Sequence, residues 1–136
     1  MLHKKTFIYS ACALFVILLV AYANHFNNGF HFDDSHTIVN NGSIRSLKNI
    51  PSFFSDPSTF SASPYHGMYR PLITTSLAID YWIAGGYYPF MFQLSTFLWH
   101  IGLCIMIFYL FKQLLSKTIP HQWNSYIALF GAGLFG

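Results

Sequence analysis

The sequence is poor in charge, and above all in negative charge. It has no glutamate and only four acidic residues among 136, and charged side chains make up 8% of the chain, against roughly 25% in soluble domains. Hydrophobic residues reach 54% and aromatic residues 20%. A soluble domain of this length could not bury so much apolar surface, so the composition predicts an integral membrane protein.

Basic residues and cysteines are also few. Seven lysines and arginines give a net charge of +3, and they form no run or stripe, which argues against nucleic acid as a partner. Cys12 and Cys104 both lie inside apolar segments. They are therefore expected to be packing residues rather than a disulfide or metal ligands.

Four apolar segments predict an all-α, polytopic membrane fold. Spans are expected over about residues 7–23, 71–84 and 90–115, and a fourth begins at about 124 and is still running at the last residue. We therefore expect the chain to be the N-terminal part of a longer membrane domain. The first segment follows a basic leader and ends in Ala21-Tyr22-Ala23, so a cleaved signal peptide fits it as well as a retained helix.

The polar stretch 24–68 is expected to form a long first external loop. Ile44, Leu47 and Phe54 can share one helical face, which predicts an amphipathic helix lying on the membrane surface. A short helix packed on the protein fits the same pattern. Asn41-Gly42-Ser43 is a glycosylation sequon, informative only in a eukaryotic host.

The basic residues give conflicting evidence on orientation. Lys4 and Lys5 favour a cytoplasmic N terminus and hence an external first loop. With the spans as predicted, all the other basic residues would then lie outside: Arg45, Lys48, Arg70, Lys112 and Lys117. We keep the N terminus inside, and we expect a bacterial inner membrane rather than the endoplasmic reticulum.

Polar residues within the predicted spans are expected to pair with one another. Gln93, Thr96 and His100 recur at helical spacing and form one stripe. Counted back from the turn between the spans, Asp80 lies at about the depth of Gln93, and a lone carboxylate in lipid is costly. The sequence predicts an Asp80–Gln93 hydrogen bond, with ion or proton movement as the alternative.

Most of the chemistry-bearing residues lie in one part of the loop, between Asn24 and Ile38. Asp33 and Asp34 are adjacent, and His31 and His36 flank them. Paired carboxylates repel each other unless solvent, a cation or a substrate is near. Neighbouring side chains diverge, whereas glycosidase carboxyls face each other across the sugar at roughly 5–9.5 Å. The pair therefore fits one general base with a supporting carboxylate, and a solvated loop fits it too.

A bound cation is a further reading of the same pair. Mg²⁺ or Mn²⁺ fits Asp33 and Asp34 better than zinc does, because these ions prefer oxygen ligands. A zinc site that adds His31 and His36 lacks the usual ligand spacing. Arg70, before the second predicted span, has a planar fork that suits phosphate, although it could equally anchor the chain at the headgroups.

These motifs, in this order, resemble the N-terminal part of a type C glycosyltransferase, a multi-span enzyme that uses a polyprenyl-phosphate sugar. The resemblance rests on the run Gly29–Asp34, on Tyr69–Leu72, on the turn Gly86–Pro89 and on His100. The order is most similar to the transmembrane O-mannosyltransferases that carry tetratricopeptide repeats and to their bacterial relatives. Phe32–His36 also resembles the Asp-Glu-x-His signature of the protein O-mannosyltransferases. The chain departs from the family at Gln93 and Thr96, where histidine and asparagine are usual.

The resemblance implies transfer of a mannose-like sugar from a polyprenyl-phosphate carrier to a hydroxyl acceptor, protein or glycan, on the external face. Asp33 would be the base, Asp34 its support, and Arg70, His36 and Tyr69 would bind substrate. It also implies a retained first helix. The composition itself predicts contact with membrane lipid. Three complete spans and the start of a fourth cannot enclose a lipid-linked donor, so we expect no activity for residues 1–136 alone. The alternative is a non-enzymatic multi-pass module, such as an assembly or transport subunit.

Overall fold

The computed structural model describes residues 2–65 and 67–136, and over that part of the chain it is all-helical. Its α-helices are α1 (Leu2–Ala21), α2 (Ile50–Phe53), α3 (Pro71–Ala84), α4 (Pro89–Thr118) and α5 (Asn124–Phe135). Short 3₁₀ turns lie at His25–Asn27, Gly42–Arg45, Leu47–Asn49 and Pro57–Phe60, and a π-helical turn lies at Ser35–Val39. The predicted all-α fold class is confirmed. The chain forms two compact units, one comprising the residues up to Asn24 with Thr96–Gly136 and the other comprising His25–Ser95.

The first unit contains α1 and most of α4, the two long apolar helices, since only residues 89–95 of α4 belong to the second unit. Lys5–Asn27, which includes most of α1, and α4 are each long and apolar enough to cross a membrane, since a crossing takes about 20 apolar residues. Their many outward-facing apolar side chains fit a lipid environment. Two candidate spans of a membrane protein thus lie close to the first and third spans that the sequence predicts.

Small residues pack α5 closely within the first unit. Ala128 and Ala132 are buried, at 0% and 3% exposure, and a Cβ on Gly133 would come within 2.7 Å of the Leu14 side chain of α1. Small side chains let helix backbones approach closely in membrane proteins. At 12 residues, α5 is about 18 Å long, which is shorter than a complete span.

The second unit has its own hydrophobic core, to which the predicted loop contributes. Ile38, Ile44 and Phe53 pack with Ala78 of α3 and Phe92 of α4. Ile44 and Phe53 are almost completely buried. Residues 38–60 therefore pack on α3 rather than forming a loop in solvent.

The predicted amphipathic surface helix is wrong. At three places a polar side chain accepts a backbone N–H two residues ahead and begins a new short turn. The acceptors are Asn41 for the N–H of Ser43, Ser46 for that of Lys48, and Asp56 for that of Ser58. Such local bonds compete with a continuous helix. Accordingly Ile44 is buried, Leu47 is half-buried, and Phe54 is 48% exposed, so the three do not form one lipid-facing stripe.

The structure does not support a complete span at residues 71–84. Helix α3 has the predicted bounds but only 14 residues, about 21 Å against a hydrocarbon core of roughly 30 Å. Residues next to both ends of α3 also hydrogen-bond to the segment that precedes the helix. Tyr69 donates to the carbonyl of Phe54 at 2.9 Å before the helix begins, and Arg45 donates to the Tyr87 hydroxyl at 2.7 Å after it ends.

Candidate functional site

The two aspartates lie in a tight turn that gives them different partners. Phe32, just before them, has φ +45° and a side chain 94% exposed. The Asp34 carboxylate accepts the N–H of His31 at 2.9 Å. The Asp33 side chain is 90% exposed, and its Oδ1 lies 3.5 Å from Nε2 of His36. One carboxylate therefore closes the turn and the other projects from it.

The His36 side chain is held on its second ring nitrogen as well. Its Nδ1 lies 2.9 Å from the hydroxyl of Ser61, and its backbone carbonyl accepts the N–H of Ala62 at 2.8 Å. The Ser61 hydroxyl accepts the N–H of Ser63 at 3.0 Å. His36 therefore joins the turn that carries Asp33 to the segment around Ser61.

Asn41 fixes these two segments against each other. Its amide nitrogen donates to the carbonyls of Thr37, Thr59 and Phe60 at 3.0–3.2 Å, and its side chain is 2% exposed. Thr37 in turn donates through its hydroxyl and its N–H to the carbonyl of Asp33. The backbone beneath Asp33 is thus anchored to a buried amide.

The predicted phosphate-binding arginine belongs to the same unit. The Arg70 guanidinium lies 5.4 Å from the ring centre of Phe60, the residue before Ser61. Tyr69 is 58% exposed while its hydroxyl is bonded to Phe54. A series of contacts therefore connects Asp33 with Arg70. Asp33 contacts His36, His36 contacts Ser61, and Phe60, the neighbour of Ser61 in sequence, contacts Arg70.

Arg70 forms no ion pair with an acidic side chain in the part of the chain that the structure describes. That part includes all four aspartates, and its one ion-pair contact joins Asp33 to His36. Arg70 is exposed, so its guanidinium is accessible to an anion from outside the chain. A planar donor fork of this kind binds phosphate oxygens in pairs.

The partner predicted for Asp80 is wrong. Asp80 is 7% exposed, and the hydroxyl of Ser95 hydrogen-bonds to its carboxyl. Burial raises the pKa of Asp80 to about 6, and the bond from Ser95 opposes that shift. The Gln93 amide instead donates to the carbonyl of Asn28, because the chain after α1 returns along the start of α4.

The described side chains fit a closed metal site poorly. They bring no group of three histidine, cysteine or acidic side chains together, and one oxygen of Asp34 already accepts a backbone N–H. Asp33 and Asp34 alone would leave most of an ion's coordination to other ligands. We assign no chemical step to a metal.

Sequence reasoning missed Ser61 and the structural role of Asn41. Ser61 stands in a serine-rich stretch and carries no motif, and only the fold brings it to His36. Asn41 begins a glycosylation sequon, yet its amide is buried and already donates to three carbonyls. A glycan on that nitrogen is incompatible with the folded unit.

Comparison with known proteins identifies relatives for most of the chain. It is 29% identical over 101 residues to the human protein O-mannosyl-transferase TMTC4, covering 72% of this chain and 14% of that protein. It is 30% identical over 124 residues to the Drosophila melanogaster protein O-mannosyl-transferase Tmtc2 and 31% over 122 residues to Tmtc1, each covering 86% of this chain and 13–14% of the relative. The chain thus spans about one seventh of these relatives. No family model and no solved structure matches it.

Proposed function

From the similarity of this chain to the TMTC family of protein O-mannosyltransferases, we propose that the intact protein is a glycosyltransferase. It moves a mannose-like sugar from a polyprenyl-phosphate carrier to a hydroxyl of a protein acceptor. The observation that carries the proposal is that the second unit presents the exposed Asp33 carboxylate and the exposed Arg70 guanidinium. The two are connected through His36, Ser61 and Phe60.

Asp33 is the general base in this proposal. Its exposed carboxylate takes the proton of the acceptor hydroxyl as the oxygen attacks the anomeric carbon. The bond from that carbon to the carrier phosphate breaks with inversion, and the phosphate leaves as an anion. Arg70 binds this anion through its fork, which stabilises the charge that develops on the leaving group.

Asp34 supports the site rather than reacting. Its bond from the N–H of His31 closes the turn that projects Asp33. Mg²⁺ or Mn²⁺ binding by the pair stays a prediction, and so do substrate contacts by Tyr69 and His36. The bacterial inner membrane also stays a prediction; the relatives named above are animal proteins.

We further propose a membrane topology with α1 and α4 as neighbouring spans. Residues between them, α3 included, then lie on one side, which is external if the N terminus is cytoplasmic. Helix α4 returns Lys112 and Lys117 to the cytoplasmic side, where the Lys4-Lys5 leader also lies. This arrangement agrees better with the excess of positive charge in cytoplasmic segments, because Arg45, Lys48 and Arg70 then lie outside and the other four basic residues lie inside.

The donor class provides the test of the function. The intact protein, purified in lipid, is given a hydroxyl-bearing acceptor peptide with labelled mannose on either a polyprenyl phosphate or a nucleotide. We expect transfer from the polyprenyl donor alone. Transfer from the nucleotide donor alone would overturn the proposed carrier, and no transfer from either would favour the non-enzymatic module.

A further inference from the structure

The hydroxyl of Ser61 lies next to a histidine that contacts the proposed base. It is 2.9 Å from Nδ1 of His36, whose Nε2 is 3.5 Å from Oδ1 of Asp33. Ser61 is 8% exposed and His36 is about one-fifth exposed, while the Asp33 carboxylate is almost fully exposed. The series therefore runs from a buried hydroxyl to an exposed carboxylate.

We propose that Ser61 is a positioning residue for Asp33, acting through the His36 ring; the inference rests on the proposed function. The carboxylate of Asp33 beside Nε2 can only accept a hydrogen, and Ser61 already accepts the N–H of Ser63, so in this arrangement the Ser61 hydroxyl donates to Nδ1 of His36. When Nδ1 accepts, the neutral ring carries its hydrogen on Nε2, because a neutral imidazole has one donor and one acceptor nitrogen. Ser61 thus turns the donor side of His36 towards Asp33.

An oriented donor matters because little of the Asp33 side chain packs against the protein. Its side chain is 90% exposed, so it can rotate among staggered positions. A donor beside Oδ1 favours the rotamer that leaves Oδ2 for the acceptor hydroxyl. Transfer depends on the distance and angle between the base and the reacting group, so loss of this orientation lowers turnover more than substrate binding.

The test compares variants that keep or lose one donor. Ser61→Ala removes the hydroxyl, Ser61→Thr retains it, and Ser58→Ala removes a hydroxyl from an exposed position nearby. In the intact protein with polyprenyl-phosphate mannose, we expect Ser61→Ala to lower kcat roughly 10-fold with KM little changed. Ser61→Thr should recover most of that loss, and Ser58→Ala should match the wild type.

A pair of substitutions at His36 separates its two nitrogens. The amide of His36→Gln can place an N–H near the position of Nε2, whereas the shorter His36→Asn can replace only the side that faces Ser61. We expect His36→Gln to retain more activity than His36→Asn. Equal loss in both would indicate a merely structural histidine and overturn the proposal.

A spectroscopic measurement tests the orientation without relying on turnover. The ¹⁵N shifts of His36 should report the Nε2–H tautomer in the wild type and a mixture in Ser61→Ala. An unchanged tautomer, or wild-type kcat in Ser61→Ala while Asp33→Asn is inactive, would overturn the inference and leave the function standing. Absence of transfer by the wild type would remove both.

Discussion

At the scale of single residues, the site depends on a few polar side chains that hold the backbone rather than on the reacting groups themselves. Asn41 is the most constrained of these, since one buried amide bonds to three carbonyls from two segments. Buried carbonyls that lose their donors cost roughly 1–3 kcal/mol each. The position of Asp33 therefore depends on a residue that never meets substrate.

Replacing Asn41 by aspartate tests this anchoring. Asn41→Asp presents a carboxylate oxygen to carbonyls that now accept from an N–H, so we expect a loss on the order of 2–4 kcal/mol in unfolding free energy. The matched control is Asn40→Asp, because Asn40 is exposed and adjacent. Thermal unfolding of both variants in detergent provides the measurement. Equal midpoints would contradict the role given to Asn41.

Arg70→Lys examines the phosphate contact. Lysine keeps the charge but loses the planar fork, so the KM for the polyprenyl donor should rise several-fold while the KM for the acceptor stays close to that of the wild type. Arg45→Lys is the control, since Arg45 is also exposed and near an aromatic ring but donates to Tyr87. A larger effect at Arg45 would remove Arg70 from the donor site.

At the scale of elements, the sequence predicts the ends of α3, but the structure does not confirm the complete span predicted there. Pro71 and Gly85 mark its ends correctly, with Gly85 in the left-handed conformation at φ +67°. Its apolar composition predicts a span, and several of its apolar side chains are exposed, among them Leu72 at 74% and Trp82 at 66%. The short length of α3 and the contacts of the preceding segment with both of its ends argue against a complete span.

The titration of Asp80 gives a pH test of this packing. Burial raises the pKa of Asp80 to about 6 from 3.8, so the folded state favours the protonated form. Its contribution to stability is fully present below about pH 4 and is lost as the pH rises through 6. Asp80→Asn should therefore unfold at a higher temperature than the wild type at pH 7.5, with the difference disappearing near pH 4.

Asp56→Asn is the control of opposite sign. Hydrogen bonds from Ser58 lower the pKa of the exposed Asp56, so its contribution to stability is present at neutral pH and is lost as the pH falls through that lowered value. We expect Asp56→Asn to unfold no higher than the wild type at pH 7.5. Stabilisation by both substitutions would show a general charge effect and contradict the argument from burial.

The sequence predicted the helices better than the segment between them. Continuous apolar runs determine α1 and α4 almost alone, so their bounds were close. The turns of residues 25–60 depend instead on which side chains hydrogen-bond to which backbone groups. Asn41 and Ser46, for example, each accept a backbone N–H two residues ahead. Asp33 and Arg70 could be identified from motifs, whereas Ser61 required the fold, because its contact with His36 spans 25 residues of sequence.

At the scale of the whole molecule, the topology rests on α1 and α4. Single cysteines at Ser58, Tyr88 and Ser116, in a background without Cys12 and Cys104, distinguish the arrangements, since all three positions are exposed. We expect Ser58→Cys and Tyr88→Cys to react with an impermeant thiol reagent from outside and Ser116→Cys only after the membrane is opened. Protection of Tyr88→Cys would restore α3 as a span.

The central claim is that one exposed carboxylate of the second unit drives sugar transfer, and Asp33→Asn tests it most directly. Asp56→Asn is the matched control, because Asp33 and Asp56 are both exposed and both precede α3 in the sequence. In the intact protein with polyprenyl-phosphate mannose, Asp33→Asn should lower the transfer rate on the order of 10²–10⁴-fold while donor affinity is kept. Asp56→Asn should transfer at the wild-type rate. Near-normal transfer by Asp33→Asn would contradict the account.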